Sequence, residues 1–423
     1  MNRNLWLLAL CQGLFLTNNV TFIAINGLVG LSLAPQGWMA TLPVMGYVVG
    51  GALSTALVAH TQQRWGRKMS FQLGLAVAFG SALLCWYAAS SRDFWLLVLA
   101  TVIAGFYNAN AQLYRFAAAE LAPPAGQAKA ISWVMAGGLL GAVAGPNLAV
   151  LTRSLTSVPF AGAYLALAGV ALLAMALLAQ IDFAPAPVKK AAGAATGRPL
   201  GQIMRQPVFA VAALAGALGY GVMNLLMAAT PLAMQICGLP FGDTAVVLAW
   251  HVIGMFAPGF FTGHLIARFG CLPIMAAGLA LNAVCVAIAL SGVGFTQFAT
   301  ALFLLGLGWN FLFTGATTLA LGAYHPEEKN KAQGALNFCV FAVLALSSLA
   351  SGALVTTQGW ALLNAGSLLP LTAIGLALGW LARQNSSSNG VGGDGGDGDD
   401  GGNGSRDSAA GLPHGSGIPR SPA

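Results

Sequence analysis

The stretch Arg64-Trp65-Gly66-Arg67-Lys68 closes one apolar run and precedes another. The two runs, 38–60 and 69–89, are each long enough to cross about 30 Å of hydrocarbon at 1.5 Å per helical residue. They predict two membrane helices joined by a short basic loop.

Outward from this loop the pattern repeats. Apolar runs can be drawn at 5–31, 38–60, 69–89, 94–116, 128–150, 158–181, 207–235, 240–266, 271–291, 295–321, 332–356 and 360–382. The breaks are short and carry turn chemistry, as in Ala34-Pro35-Gln36-Gly37, Ser90-Ser91-Arg92-Asp93, Ala122-Pro123-Pro124 and Gly238-Leu239-Pro240. Composition agrees: 57% of the 423 residues are hydrophobic, 7% are charged, and the mean hydropathy is +0.76. Soluble domains carry about 25% charged residues. A soluble enzyme, a nucleic-acid module and a disordered chain are therefore excluded, and a β-barrel would need only short alternating runs. The expected fold class is an all-α polytopic membrane protein with twelve transmembrane helices. The run from Leu5 reads as a retained helix rather than a signal peptide. Six scattered cysteines with no CxxC pair give no disulfide framework.

Charge predicts the orientation. One set of loops and ends holds Arg3, Arg64, Arg67, Lys68, Arg115, Lys129, Lys189, Lys190, Arg198, Arg205, Arg268, Lys329, Lys331 and Arg383; the other holds only Arg92 and Arg153. By the positive-inside rule both termini are expected in the cytoplasm. The net charge of +7 then reflects contacts with anionic membrane lipid, not a nucleic-acid partner.

Four segments are expected. Residues 1–181 form an N-terminal six-helix half, 182–206 a cytoplasmic linker, and 207–384 a C-terminal six-helix half. Residues 385–423, rich in Gly, Asp and Ser, form a disordered cytoplasmic tail. The halves look like repeats. Gly105-Phe106-Tyr107-Asn108, then Pro124 and Ala128-Lys129-Ala130, is matched by Leu307-Gly308-Trp309-Asn310, then Pro326 and Asn330-Lys331-Ala332, at a constant offset of 202 residues. Arg64-Trp65-Gly66 likewise has a counterpart in Arg268-Phe269-Gly270.

With these residues the chain resembles the major facilitator superfamily over about 5–383. The superfamily's loop between helices two and three has the pattern Gly, three residues, Asp-Arg, one residue, Gly-Arg-Arg/Lys. Arg64, Gly66, Arg67 and Lys68 match it, whereas Ala59 and Gln63 replace the Gly and the Asp. The resemblance implies two six-helix halves, with Arg64, Gly66, Arg67 and Lys68 contributing to closure of the inner side. It also puts the usual ion-paired latch in question, because the carboxylate is missing. Gly141-Ala142-Val143-Ala144-Gly145-Pro146 is similar to the superfamily's Gly/Pro motif in helix five. Small residues there permit close helix approach, and plain packing explains them equally well.

No Asp or Glu falls near a span centre; Glu120, Asp182 and Asp243 all lie near span ends. Soft metal ligands stand out instead. Met223 and Met227 in span seven, and His251 and Met255 in span eight, are i,i+4 pairs, each on one helix face. At 1.5 Å per residue Met223 lies roughly 18 Å and His251 roughly 16 Å from the outer ends. Thioethers select Cu(I), and imidazole also accepts it. Packing of the methionines, and a hydrogen bond from His251 to a neighbouring helix, are the competing readings.

The MxxxM and HxxxM pairs resemble the signature of the CcoA-like bacterial copper importers, a branch of the same superfamily. The resemblance implies a metal site of Met223, Met227, His251 and Met255, with Cys237 at a matching family position. It also implies copper import across the bacterial inner membrane for cbb3-type cytochrome c oxidase. Copper, as Cu(I), is then the transported substrate and no prosthetic group is expected. A cytoplasmic copper chaperone is the expected receiver and a monomer the expected state. No reaction is catalysed. In the copper reading Asn108, Asn110, Gln112 and Arg115 of span four line the wall opposite the metal, with snorkelling the competing reading of Arg115. The rival reading is a transporter, exporting in direction, of a small organic compound or drug, with a neutral polar cavity lined by Asn18, Asn19, Asn108 and Asn310. A non-transporting sensor acting through its tail is a further alternative.

Overall fold

The computed structural model describes residues 3–123, 127–183, 197–325 and 328–390. Most of the expected linker (184–196), most of the expected tail (391–423), and Pro124 and Pro326 of the repeat lie outside the described residues. Within them the regular elements are helices: α1 (Arg3–Leu33), α2 (Leu42–Ser90), α3 (Phe94–Ala111), α4 (Tyr114–Glu120), α5 (Gln127–Thr152), α6 (Ala161–Ala179), α7 (Leu200–Met204), α8 (Pro207–Ile236), α9 (Phe241–Phe256), α10 (Gly259–Phe269), α11 (Cys271–Ser291), α12 (Phe295–Leu321), α13 (Lys329–Thr357), α14 (Gly359–Gly366) and α15 (Leu368–Gly390), with a single 3-10 turn at Gly37–Met39.

Ten stretches are long and apolar enough to span a bilayer. One of them, Gly37–Ser90, is 54 residues long, more than one crossing can use. It divides at Gly66, whose φ of 77° and ψ of 174° interrupt the helix. A further pair, α9 and α10, forms one span bent by 40°. With that division and that pair the expected twelve crossings are present. The chain is a multi-pass membrane protein. Its lipid-facing side chains are large and apolar: Leu151, Phe338, Leu369 and Leu376 are each more than 70% exposed.

Gly270, after Arg268-Phe269, takes φ 86° and ψ 166°, nearly the values of Gly66 after Arg64-Trp65. Left-handed φ at both points is a glycine conformation, so the internal similarity extends to the backbone. The run 240–266, read from sequence as continuous, bends instead at Ala257-Pro258. Pro258 has no N–H to continue the helical ladder. The Met255 carbonyl near the bend accepts from Asn310 Nδ2 at 2.7 Å, and Thr262 Oγ1 donates to Asn310 Oδ1 at 2.6 Å. In an apolar surround, side chains of a neighbouring helix must satisfy backbone groups released by a proline.

Small residues set the helix contacts. A Cβ on Gly141 would lie 2.6 Å from the Gly13 carbonyl oxygen, so the Gly/Pro motif of α5 marks its seam with α1. The Thr21 hydroxyl crosses this seam to donate to the Gly145 carbonyl at 2.9 Å. Gly306 of α12 packs directly on the His251 carbonyl of α9. Without a hydrophobic drive between helices in lipid, such close backbone approach supplies much of the packing energy.

Candidate functional site

Side chains of α8 and α12 build an aromatic wall. Trp309 and Phe313, one helical turn apart on α12, stack with ring centroids 5.3 Å apart and planes 10° from parallel. Tyr220 of α8 meets both edge-on at 5.1 Å, and Phe256 of α9 approaches Trp309 at 6.3 Å. Tyr220 and Phe313 also rest on a small apolar cluster formed by Val48, Ala217, Val340 and Leu344. Val48 belongs to α2, so the first half reaches this wall.

Among the described residues, the buried side-chain atoms without a hydrogen-bond partner include Trp309 Nε1 of this wall and, on α3 and α4, Asn108 Oδ1 and Arg115 Nε. Among the described residues the ion pairs are Arg67–Glu120 and Arg198–Glu328, and neither involves Arg115. A buried polar group without a partner costs free energy that a ligand or a water can recover.

The asparagines expected to line a cavity divide by their bonds. Asn310, the repeat partner of Asn108, is committed to Met255 and Thr262 at the α9–α10 bend. Asn110 donates to the Ser70 carbonyl at 3.0 Å and ties α3 to α2. Asn19 donates to the Tyr47 hydroxyl at 3.4 Å, and Asn18 is buried within α1. Asn108 keeps a free acceptor. Sequence reasoning missed Tyr220, Trp309 and Phe313 as a wall. The i,i+4 spacing of Trp309 and Phe313 was its one available signal.

The soft-ligand residues occupy a different environment. Met223, Met227 and Met255 are packed in the main apolar cluster. His251 is fully buried, and its Nδ1 lies 2.6 Å from the Leu302 carbonyl of α12. A carbonyl only accepts, so Nδ1 carries the hydrogen and the ring ties α9 to α12. Nε2 is buried without a hydrogen-bond partner. Cys237 is exposed just beyond α8, roughly 21 Å along the helix from Met223. The structure therefore does not bring Cys237 to the other four.

At the basic end Arg67 grips Glu120 with two bonds, Nη2 to Oε1 at 2.6 Å and Nε to Oε2 at 3.1 Å, and also reaches Gln62. Glu120 of α4 thus supplies the counter-charge that Gln63 cannot. Arg64 lies over the neighbouring Trp65 ring. The Arg67–Glu120 pair is partly exposed, and such pairs contribute about 0–1 kcal/mol. Glu120→Gln is expected to leave the melting temperature of the purified protein within a few degrees of wild type.

The second-half counterpart is deeper. Glu328, 1% exposed, accepts from Arg198 Nε at 2.8 Å, Arg198 Nη2 at 2.7 Å, the Arg198 backbone N–H at 2.8 Å and the His325 backbone N–H at 3.0 Å. The Arg198 guanidinium, followed by the His325 N–H, holds the Glu328 carboxyl well below the usual carboxylate range.

At the opposite end the halves meet. The Thr41 hydroxyl donates to the Ser348 carbonyl at 2.7 Å and accepts from the Gly352 N–H at 3.0 Å, joining α13 to the start of α2. Phe160 and Phe241 pack edge to face at 4.8 Å, with the Arg153 guanidinium 5.3 Å from one ring and 6.0 Å from the other.

The family model of the Major Facilitator Superfamily matches residues 5–258 and 212–397. The chain is 39% identical over 365 residues to the riboflavin transporter RfnT of Brucella anthropi, covering 86% of this chain and 91% of that one. Among solved structures, a bacterial homologue of the human lysosomal transporter Spinster in an inward-facing, occupied conformation superposes with a TM-score of 0.69 at 15% identity, covering 90% of this chain and 96% of that one. The nucleoside transporter NupG gives a TM-score of 0.69 at 13% identity, covering 89% and 99%. At these identities the two structures show the fold alone.

The relationship to RfnT overturns the expectation of copper import. Spacing of i,i+4 put each thioether and imidazole pair on one helix face. The structure packs the three methionines into the apolar core and uses one His251 nitrogen as a tie between helices. The finding favours the rival reading, an organic-substrate transporter.

Proposed function

Since the chain belongs to the Major Facilitator Superfamily and is a transporter rather than an enzyme, we propose that it carries riboflavin, or a closely similar flavin, across the bacterial inner membrane by alternating access. The observation that carries this reading is 39% identity to a riboflavin transporter over 86% of the chain. The site chemistry supports it. An isoalloxazine is flat and aromatic on its faces and polar along one edge. Trp309, Phe313 and Tyr220 offer ring surfaces, and Trp309 Nε1 offers an unpartnered donor.

Both termini lie on the cytoplasmic side in this reading, because the basic residues gather at one end of the bundle. The contacts between halves at Thr41–Ser348 and Phe160–Phe241 then close the periplasmic side. Arg67–Glu120 binds within the first half and Arg198–Glu328 ties the end of the linker to the second half, both on the cytoplasmic side in this reading.

The test is growth of a riboflavin-auxotrophic bacterium without an uptake system of its own. Cells expressing the protein are expected to grow at low external riboflavin and to accumulate labelled riboflavin; growth equal to the empty vector would refute the reading. A companion prediction concerns the former metal candidates. Met223→Leu with Met227→Leu conserves volume, and such swaps usually cost less than about 1.5 kcal/mol each. Riboflavin uptake is expected to remain within about twofold of wild type. A loss at equal expression would show that the thioether sulfurs do more than pack.

A further inference from the structure

The Thr41 hydroxyl donates to the Ser348 carbonyl at 2.7 Å and accepts from the Gly352 N–H at 3.0 Å. Ser348 and Gly352 stand four residues apart in α13, so these are the carbonyl and the N–H that one rung of an α-helix joins directly. A side chain of the first half thus bridges a rung of a helix in the second. The fit is close. Thr41 is fully buried, and a Cβ on Gly352 would overlap its hydroxyl oxygen, so only glycine at 352 leaves room for the bridge. The same turn of α13 is also held from its own half. Asn224 Nδ2 of α8 donates to Ser347 Oγ at 2.9 Å and to Ser348 Oγ at 2.8 Å. Ser351 Oγ donates to the Ser348 carbonyl at 2.7 Å. Neither set of bonds depends on Thr41.

Resting on the alternating-access reading above, we propose that Thr41 is a releasable latch of the outer mouth: its hydroxyl bridges the Ser348–Gly352 rung while the mouth is closed and withdraws when the mouth opens, leaving the rung to close on itself. A polar group stripped of its partner inside a membrane protein costs free energy, because lipid offers no replacement. A contact that holds two halves together through buried polar groups would therefore resist opening. This one does not. The Gly352 N–H and the Ser348 carbonyl are each other's ordinary helical partners, and Ser351 keeps a second bond on that carbonyl. The Thr41 hydroxyl, freed at the end of the bundle, passes to water. Opening therefore gives up about one net hydrogen bond and leaves no orphaned backbone group on α13. The closed mouth is favoured, yet it can open within a transport cycle. A hydroxyl inserted at a helical rung also bends the helix locally, so α13 straightens at Ser348–Gly352 on release, while Asn224 keeps it seated on α8.

The experiment uses purified full-length protein in nanodiscs without substrate, so it does not depend on which compound is carried. Spin labels on the exposed Cys237 of the second half and on Ser90→Cys of the first, both at the outer end, report the width of the mouth by pulsed dipolar spectroscopy, with the half-buried Cys271 and Cys339 replaced by alanine. Thr41→Val keeps the shape and removes the hydroxyl. It is expected to raise the ratio of wide to narrow mouths about fivefold, the equivalent of one net hydrogen bond. Thr41→Ser keeps the hydroxyl and is expected to stay within about twofold of wild type. Gly352→Ala is expected to shift the ratio at least as far as Thr41→Val, because its methyl takes the place of the hydroxyl. Added to Thr41→Ala, the same substitution is expected to change the ratio by less than about twofold, since the bridge it blocks is already gone. A ratio unchanged in Thr41→Val, an equal shift in Thr41→Ser, or a Gly352→Ala effect that persists beside Thr41→Ala overturns the proposal. Should Gly352→Ala fail to fold, the valine and serine variants decide alone. Absence of riboflavin uptake by wild type would overturn the flavin reading and leave these outcomes as they stand.

Discussion

Replacing Trp309 by alanine is expected to raise the riboflavin KM about 5- to 150-fold, because stacking a planar heteroaromatic on an aromatic side chain contributes about 1–3 kcal/mol. Trp309 is the hub of the wall: it stacks on Phe313 and meets Tyr220 and Phe256. Alanine removes both the ring face and the Nε1 donor. Trp309→Phe removes only the donor and part of the face, so its KM is expected to fall between wild type and alanine. Truncation also leaves a void, so uptake must be normalised to folded protein, measured by size-exclusion of a fluorescent fusion. If Trp309→Ala transports with unchanged KM at equal folded protein, the wall is structural and the substrate binds elsewhere.

The second large effect belongs to Glu328. Its carboxylate accepts four hydrogen bonds while almost fully enclosed, and Arg198 depends on it for neutralisation. Arg198 is 35% exposed and stays partly hydrated without it, but the four hydrogen bonds made to the enclosed carboxylate are weakened. Glu328→Gln is therefore expected to lower the melting temperature well beyond the change in Glu120→Gln, whose pair is partly exposed. The sign with pH follows from linkage. The folded-state pKa of Glu328 is depressed, so its contribution is complete above the unfolded carboxylate value of about 4.3 and is lost only as pH falls below that value toward the lower folded one. The gap in melting temperature between wild type and Glu328→Gln is expected to stay constant from pH 5 to 8 and to narrow below about pH 4. A gap that widens on acidification would contradict the assignment.

These two residues differ in how far the sequence announces them. Trp309 sits inside the 202-residue repeat and four residues before Phe313, so its face can be read from spacing. Its partner Tyr220 lies on another helix, and nothing in the spacing of α8 links the two. Glu120 was noted only as lying near a span end. That it answers Arg67 emerges when α4 is packed beside the Gly66 turn. The copper expectation erred for the same reason. Residues i and i+4 share a face whether that face lines a cavity or packs against a neighbour. The 2.6 Å contact from His251 to the Leu302 carbonyl belongs to the second case.

The sequence by itself determined the number of crossings, the Arg-aromatic-Gly match at Gly66 and Gly270, the charge asymmetry and the internal repeat. Each depends on residues near one another in the chain, through helix length and apolar composition. Only the tertiary structure decided which polar groups are already satisfied. Asn310 and Asn108 occupy equivalent places in the repeat, yet the bend at Pro258 gives Asn310 a backbone carbonyl and a threonine to bind, and Asn108 keeps an unpartnered acceptor. Which of two like residues is tied into the fold and which keeps an open polar atom depends on contacts between distant segments, and these exist only once the helices have packed.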